Sequence, residues 1–145
     1  MFSIRPAQST DLIPLCALDS YALEHPERRD AIAAWIEARA CRVAEVAGDI
    51  AGYGVLTNAF FDQPFIEIVM VSDRWRGRGV GRALVAHFQA TCTGAKLFTS
   101  TNASNIPMQR LLLKSGFKAS GRIDNLDEND PELVFFYPVP RTQVG

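Results

Sequence analysis

The feature that most constrains this chain is a loop of alternating glycine and arginine between an apolar run and a helical pattern. The apolar run is Phe65 to Val71, the loop is Arg74-Trp75-Arg76-Gly77-Arg78-Gly79-Val80-Gly81-Arg82, and Val80, Leu84 and Phe88 follow at helical spacing. A strand that turns into a helix through glycines aims backbone N–H groups and the positive end of the helix dipole at one place. Glycine also permits positive φ and close approach to a ligand. The loop therefore predicts a phosphate or pyrophosphate site.

Two common phosphate loops do not fit this stretch. The NTPase P-loop requires Lys-Ser or Lys-Thr after its last glycine, and neither follows here. The dinucleotide fingerprint is Gly-x-Gly-x-x-Gly, whereas the pattern here is Gly77-x-Gly79-x-Gly81. The alternative is an ordinary glycine-rich turn with solvated arginines. The preceding strand and the following helix favour the ligand site.

Composition and charge bound the class of protein. With 145 residues, of which 48% are hydrophobic, the chain has the size and core of one globular domain over residues 1–145. A net charge of −1 argues against a general nucleic-acid binder. No apolar run approaches the roughly 18 residues of a membrane span, and the N-terminus lacks an apolar signal core. We expect a protein that binds neither nucleic acid nor membrane.

The cysteines and histidines predict no metal site. Cys16, Cys41 and Cys92 are odd in number and widely spaced, which is typical of reduced thiols in a cytoplasmic protein. With only His25 and His87 as further ligands, a zinc site is not expected.

Strand and helix patterns alternate along the chain in the order β-α-α-β-β-β-α-β-α-β-β. The predicted strands are residues 2–5, 43–47, 50–56, 65–71, 96–101, 117–123 and 133–139. Helical patterns begin at Thr10-Asp11, follow the break at His25-Pro26, and span 79–91 and 105–115, with Gly116 as a stop. The near-continuous apolar character of residues 65–71 predicts burial on both faces. We predict an α/β (α+β) fold with one mixed, mostly antiparallel sheet covered by helices.

This order, together with two motifs, resembles the GNAT superfamily of acyl-CoA-dependent N-acyltransferases. The family's pyrophosphate signature, Gln/Arg-x-x-Gly-x-Gly/Ala, is matched by Arg76 to Gly81. Downstream, Asn105, a helix and Gly116-Phe117 look like the family's asparagine-helix-Gly-Phe segment. The two motifs stand in the family's order, and the resemblance covers nearly the whole chain.

The resemblance implies acetyl-CoA as cosubstrate and assigns residues to it. Between the fourth and fifth strands, which splay apart in the family, the pantetheine arm pairs with strand backbone, and Asn105 lies beside the pantetheine or the thioester. The residues implied to bind acetyl-CoA are Val69, Met70, Val71, Arg76, Gly77, Arg78, Gly79, Val80, Gly81 and Asn105. Arg74 and Arg82 either reach phosphates or remain solvated, and Trp75 either stacks on the adenine or lies at the surface.

Amine acetylation needs a neutral amine, so a general base is useful. Glu67 is the only charged residue of the central run 65–71, where a carboxylate is costly unless paired, hydrated or working. Relatives often place a catalytic glutamate here, so we predict Glu67 as the base. The alternative is a glutamate that only binds a cationic acceptor. A backbone N–H of Met70 or Val71 would polarise the thioester carbonyl.

The resemblance does not identify a general acid in this chain. Many relatives carry a tyrosine four residues before the Gly-Phe pair, and here that position is Leu112. Ser115 and Tyr53 are substitutes to test, and water is a third, since a thiolate of modest pKa can leave without an enzymic acid.

These observations predict an N-acetyltransferase that acts on a small-molecule or peptide amine by direct attack in a ternary complex. The alternative is a CoA-binding sensor or interaction module with weak catalysis, which Leu112 favours and Glu67 opposes. The segment Asp124 to Glu132 carries five carboxylates. It predicts a cationic acceptor through electrostatic attraction, unless it is only a solvated loop. Homodimers are frequent among relatives, so a homodimer is a further expectation.

Overall fold

The computed structural model describes residues 2–140, which contain seven strands and five helices. The strands are β1 (Ser3–Pro6), β2 (Cys41–Val46), β3 (Asp49–Phe60), β4 (Gln63–Val71), β5 (Lys96–Asn102), β6 (Lys118–Ile123) and β7 (Glu132–Pro138). The helices are α1 (Leu12–Leu18), α2 (Ser20–Glu24), α3 (Pro26–Glu37), α4 (Val80–Thr91) and α5 (Ile106–Lys114). Short 3-10 turns, Ser9–Asp11 and Asp73–Trp75, precede α1 and α4.

The strands form one mixed sheet in the order β1-β2-β3-β4-β5-β7-β6. The β4–β5 pair is parallel, with Phe65 opposite Phe98. The β1–β2, β2–β3, β5–β7 and β6–β7 pairs are antiparallel. The predicted fold class is therefore confirmed. Within residues 2–140, no helix is long and apolar enough to cross a membrane.

The contacts of the chain divide it into two compact units. One comprises the residues up to Leu56 together with Ile68–His87, and the other comprises Thr57–Glu67 together with the residues from Phe88 onward. Strands β3 and β4 contribute residues to both units. A single domain over residues 1–145 remains a prediction.

The first unit has a core beneath α1, α2 and α3. Its buried members include Leu15, Ile32, Tyr53 and Val55. The helical pattern that begins at Thr10-Asp11 is interrupted earlier than the sequence indicates. The Asp19 carboxylate accepts hydrogen bonds from the N–H groups of Tyr21 and Ala22 and so caps the start of α2. Pro26 then occupies the first turn of α3, where its missing N–H costs nothing.

A second cluster of the first unit joins β4 to α4. Val80 and Leu84 of α4 are buried with two alanines of β2 and β3, and Val69 and Val71 pack against them. The prediction that residues 65–71 are buried on both faces is confirmed only in part, because Ile68 and Met70 pack against the first core and Val69 and Val71 against this cluster, but without complete burial. Only Ile66 is buried, and the rest are half-buried. An apolar run indicates a central strand, but it cannot tell which faces are covered.

In the second unit, α5 is bounded by the two residues that the sequence singles out. Asn105 is its N-cap, and Gly116 follows its C-cap with φ +95°. Positive φ is the conformation that favours glycine after a helix. Strand β6 lies at the edge of the sheet and is exposed along its length.

Candidate active site

The glycine loop runs from the end of β4 into α4, as the sequence predicts. The Ser72 N–H donates to the Ala51 carbonyl (2.9 Å), and the Trp75 N–H donates back to the Ser72 carbonyl (2.9 Å). Gly77 and Gly79 have φ of +73° and +87°. Those angles are strained for residues with a Cβ, so the two glycines allow the path that joins strand to helix.

The loop and the first turn of α4 present backbone donors. The Ala83 N–H donates to the Gly79 carbonyl (3.0 Å), which makes Gly79 the residue that starts the helical ladder. The amides of Val80, Gly81 and Arg82 therefore have no acceptor within the helix. An ideal Cβ on Gly77 or Gly79 would meet nothing within 4 Å. Open space, amide donors and a helix N-terminus fit a pyrophosphate.

The arginines of the loop make weak, exposed contacts. Arg76 pairs with Asp73 (3.1 Å) and Arg74 with Asp49 (3.5 Å), and all four side chains are more than half exposed. Exposed pairs of this kind contribute little to stability. The guanidinium of Arg78 lies 5.4 Å from the centre of the Trp75 ring, which is half-buried. These cations can turn toward a phosphate at little cost.

Gly52 of β3 lies directly against the backbone of β4, behind the loop. A Cβ at Gly52 would lie 2.6 Å from the Met70 carbonyl oxygen and 3.3 Å from the Val71 Cα. Only glycine allows this approach. The sequence analysis did not identify Gly52, although glycine inside a strand is a signal for close backbone contact.

Glu67, the predicted base, is half-buried on β4 and held by a hydroxyl. The Thr57 Oγ1 donates to Glu67 Oε2 at 2.5 Å. The same Oγ1 accepts from the Ala59 N–H (3.2 Å), which leaves the hydroxyl hydrogen for the carboxylate. Thr57 was not predicted, because the contact depends on how β3 and β4 meet.

Asn105 has a structural partner. Its Oδ1 accepts from the Met108 N–H (3.2 Å) and caps α5. Its role beside the pantetheine remains a prediction.

Tyr53 and Ser115, which the sequence analysis considered as substitutes for the missing general acid, have structural roles. Tyr53 is 0% exposed, and its hydroxyl donates to Asp19 Oδ2 at 2.6 Å. Burial and this hydrogen bond raise the pKa of Tyr53. Because this hydroxyl is buried and its hydrogen is engaged by Asp19, the structure gives Tyr53 a structural role and does not support it as the general acid. Leu112 is also fully buried, and Ser115 forms the C-cap of α5.

The acidic segment Asp124 to Glu132 is tied to the end of β5 and the loop that follows. The Asn102 amide donates to Asp127 (2.9 Å), and the Ser104 hydroxyl donates to Asp130 (2.6 Å). Glu132 accepts from Ser100 (2.6 Å). These neutral donors order the segment without placing a positive charge beside its carboxylates.

The predicted site residues divide between the two units. The first unit holds Val69 to Val71 and Arg76 to Gly81, and the second holds Glu67 and Asn105. Strand β4 carries both Glu67 and the stretch Val69 to Val71. Among residues 2–140, no cluster of three or more His, Cys, Asp or Glu side chains could hold a metal ion.

Comparison with known proteins gives one family. The model of the acetyltransferase (GNAT) family matches residues 10–117. No curated protein matches the chain. A GNAT-family acetyltransferase structure from Bacillus cereus is 31% identical with a TM-score of 0.90, and the match covers 97% of this chain and 99% of that one.

Two more distant structures share the fold. The yncA protein from Salmonella typhimurium, which was solved with acetyl-CoA, is 19% identical with a TM-score of 0.79, over 97% of this chain and 95% of that one. The ribosomal-protein-S18-alanine N-acetyltransferase from Escherichia coli is 20% identical with a TM-score of 0.79, over 96% and 94%. With its signature loop between β4 and α4 and a family model matched over most of its length, this chain belongs to the GNAT family and is an acyl-CoA-dependent N-acetyltransferase.

Proposed function

We propose that this protein transfers the acetyl group of acetyl-CoA to a primary amine by direct attack in a ternary complex. The proposal rests on two features of strand β4. The strand ends in a glycine loop suited to a pyrophosphate, and it bears a carboxylate held by a neighbouring hydroxyl. The cosubstrate supplies an activated thioester, and the protein supplies position, a base and hydrogen-bond donors.

The loop residues are assigned to the cosubstrate. The amides of Arg76 to Gly81 hold the pyrophosphate, and the arginine side chains neutralise its charge. The backbone of Val69, Met70 and Val71 pairs with the pantetheine arm. Asn105 is assigned to the pantetheine or thioester end.

Glu67 is assigned as the base. The acceptor arrives as an ammonium, and Glu67 takes one proton so that the nitrogen lone pair can attack the thioester carbon. Thr57 orients the carboxylate through Oε2 and leaves Oε1 for the amine. An N–H of Met70 or Val71 donates to the carbonyl oxygen, where negative charge develops.

The leaving group needs no enzymic acid in this scheme. After the attack, the nitrogen gives its second proton to water, the carbon–sulfur bond breaks as the amide forms, and the released thiolate takes a proton from water. Simple thiols have a pKa near 8.5, so the thiolate is a competent leaving group close to neutral pH. The burial of Tyr53 and Leu112 is consistent with this route.

The acceptor is proposed to be cationic. The segment Asp124 to Glu132 carries five carboxylates. One of them, Asp124, lies near a cation, Arg122 (3.2 Å). The neutral partners of Asp127, Asp130 and Glu132 do not cancel their charge, so the segment attracts cations.

Thiol release tests the function. Purified protein is mixed with acetyl-CoA and a panel of amines, namely polyamines, an aminoglycoside, amino acid amides and a lysine peptide, and free thiol is followed with a chromogenic disulfide. We expect amine-dependent release and an acetylated product by mass spectrometry. Binding of CoA by calorimetry without release for any amine would support the alternative, a CoA-binding sensor, which the buried Leu112 at the usual tyrosine position favours.

A further inference from the structure

A row of phenylalanine rings crosses the sheet of the second unit and has no assigned role. The phenylalanine row consists of Phe60, Phe65, Phe98 and Phe136. The ring centres are 4.9 Å apart between Phe60 and Phe65, 5.3 Å between Phe60 and Phe98, and 6.2 Å between Phe98 and Phe136. These spacings are typical of interacting aromatic rings.

The row lies on one face of the sheet. Phe65 is opposite Phe98 in the parallel pair, and Phe98 is opposite Phe136 in the antiparallel pair. The adjacent parallel pair, Ile66 and Thr99, alternates to the other face, and both of its residues are buried. The four rings of the row are only half-buried.

The rings are accessible at the turn between β3 and β4. Phe61 stands there with its side chain 84% exposed and packs edge-on against Phe60 (4.9 Å). Contiguous aromatic surface of this kind marks a binding surface more often than single exposed residues do. Part of the row is therefore free to meet a ligand.

The same face carries the proposed base. Glu67 follows Phe65 by two residues on β4, so both side chains project from one face. Ser100 follows Phe98 in the same way on β5, and its hydroxyl donates to Glu132 (2.6 Å). The rings thus adjoin two carboxylates. This combination is complementary to a molecule with an apolar ring at one end and an amine at the other.

We propose that the phenylalanine row binds the aromatic or large apolar body of the acceptor and directs its amine to Glu67. The acceptor class is then an arylalkylamine, or a peptide with an aromatic residue beside its amine. This inference rests on the proposed function and names the substrate class of that site. A second copy of the chain is a poorer occupant, since a dry interface would bury the Glu67 carboxylate without a cation.

Matched amines test the inference. The value of kcat/KM is measured for 2-phenylethylamine, 2-cyclohexylethylamine and ethylamine at one pH. We expect the two ring-bearing amines to exceed ethylamine by about tenfold or more, the discrimination that apolar pockets provide. In Phe98→Leu the ratio of kcat/KM for 2-phenylethylamine to kcat/KM for ethylamine should fall several-fold. In Phe98→Ala the preference for 2-phenylethylamine should fall further. Ile13→Ala, at a residue on α1 that is 75% exposed, serves as the control.

The outcomes separate the two proposals. Acetylation of all three amines with equal kcat/KM, or an unchanged preference in folded Phe98→Leu, would overturn the inference and leave the function standing. Failure of these three amines with acetylation of another amine of the wider panel would also overturn the inference, whereas failure of every amine in both sets would overturn the proposed function. Size-exclusion chromatography is run in parallel, because a wild-type dimer that Phe98→Leu converts to a monomer would assign the row to self-association instead. Phe136→Leu provides a second variant on a different strand.

Discussion

Two carboxylates of this protein each accept a hydrogen bond from a hydroxyl, yet their surroundings are opposite. Asp19 is 0% exposed and accepts from Tyr53 (2.6 Å), from the Arg28 guanidinium (2.9 Å) and from two backbone amides. Glu67 is half-buried and accepts from Thr57 (2.5 Å). Both Asp19 oxygens accept from internal donors, one of which is a counter-charge, whereas Thr57 contacts Glu67 Oε2 and the proposed function assigns Oε1 to the amine.

The difference distinguishes a carboxylate that stabilises the fold, Asp19, from the carboxylate that is proposed to act in the reaction, Glu67. A buried carboxylate is tolerated only when its partners repay its lost hydration, and the donors that do so also occupy the oxygens that a substrate would need. A base needs the reverse, an oriented carboxylate with an accessible oxygen. Variants of Glu67 and Asp19 test this distinction directly, and variants of the glycine loop and the acidic segment, with progressively smaller effects, test the rest of the proposed site.

Glu67→Gln should reduce kcat by roughly 10²–10⁴-fold, the usual contribution of a general base. The amide keeps the shape of the side chain but accepts no proton. Acetyl-CoA affinity by calorimetry and the thermal midpoint should change little. Glu27→Gln, at an exposed site on α3, is the control. A Glu67→Gln enzyme with full turnover across the pH range would move Glu67 to a binding or structural role.

Asp19→Asn should instead cost stability. Breaking a buried ion pair by removing one partner costs about 3–5 kcal/mol, and we expect the lower end because the Arg28 side chain keeps 21% of its exposure. Urea unfolding measures the loss. Tyr53→Phe removes only the hydroxyl and should cost about 1–3 kcal/mol through the unpaired acceptor. An Asp19→Asn protein of normal stability and lost turnover would reverse the comparison.

Gly79→Ala should weaken acetyl-CoA binding by roughly 10–100-fold. That range corresponds to the loss of one hydrogen bond to a charged group, about 1.5–3 kcal/mol. Gly48→Ala is a matched control, because Gly48 has φ +85°, close to the +87° of Gly79, and equal open space for a Cβ. Both variants carry the same backbone strain, so equal calorimetric affinities would remove the loop from the site.

The acidic segment should have the smallest effect. Glu128→Gln removes one exposed charge of the segment, and we expect kcat/KM for a cationic amine to fall by less than threefold, in line with the modest energies of screened surface charges. The fall should vanish at high salt. Asp130→Asn is expected to disturb the hydrogen bond with Ser104 as well as to remove a charge. A lowered thermal midpoint in this variant would indicate a disturbed loop, whereas an unchanged midpoint would leave the loss of charge as the cause of any kinetic effect. Salt-independent kinetics in the wild type would show that the segment does not steer substrate.

Much of the fold was predictable because its signals are local. The helix after the glycine loop, the helix predicted over 105–115 and its stop at Gly116 depend on residues within one or two turns of each other, and the structure confirms all three. The break at Asp19 was missed, since the same residue type is tolerated at several places in a helical pattern. The completeness of burial of β4 was overestimated, because an apolar run does not report how fully each face is covered.

The family resemblance, the glycine loop and the carboxylate on β4 were all accessible from the sequence. Glycine and proline spacing and hydrophobic period act through backbone sterics over a few residues, so they can be interpreted without a fold. The pairing of side chains that are distant in the chain required the folded structure. Thr57 meets Glu67 across ten residues, Tyr53 meets Asp19 across 34, and the phenylalanine row assembles from four strands. Those contacts follow from strand pairing and register, which are set by the packing of the whole sheet.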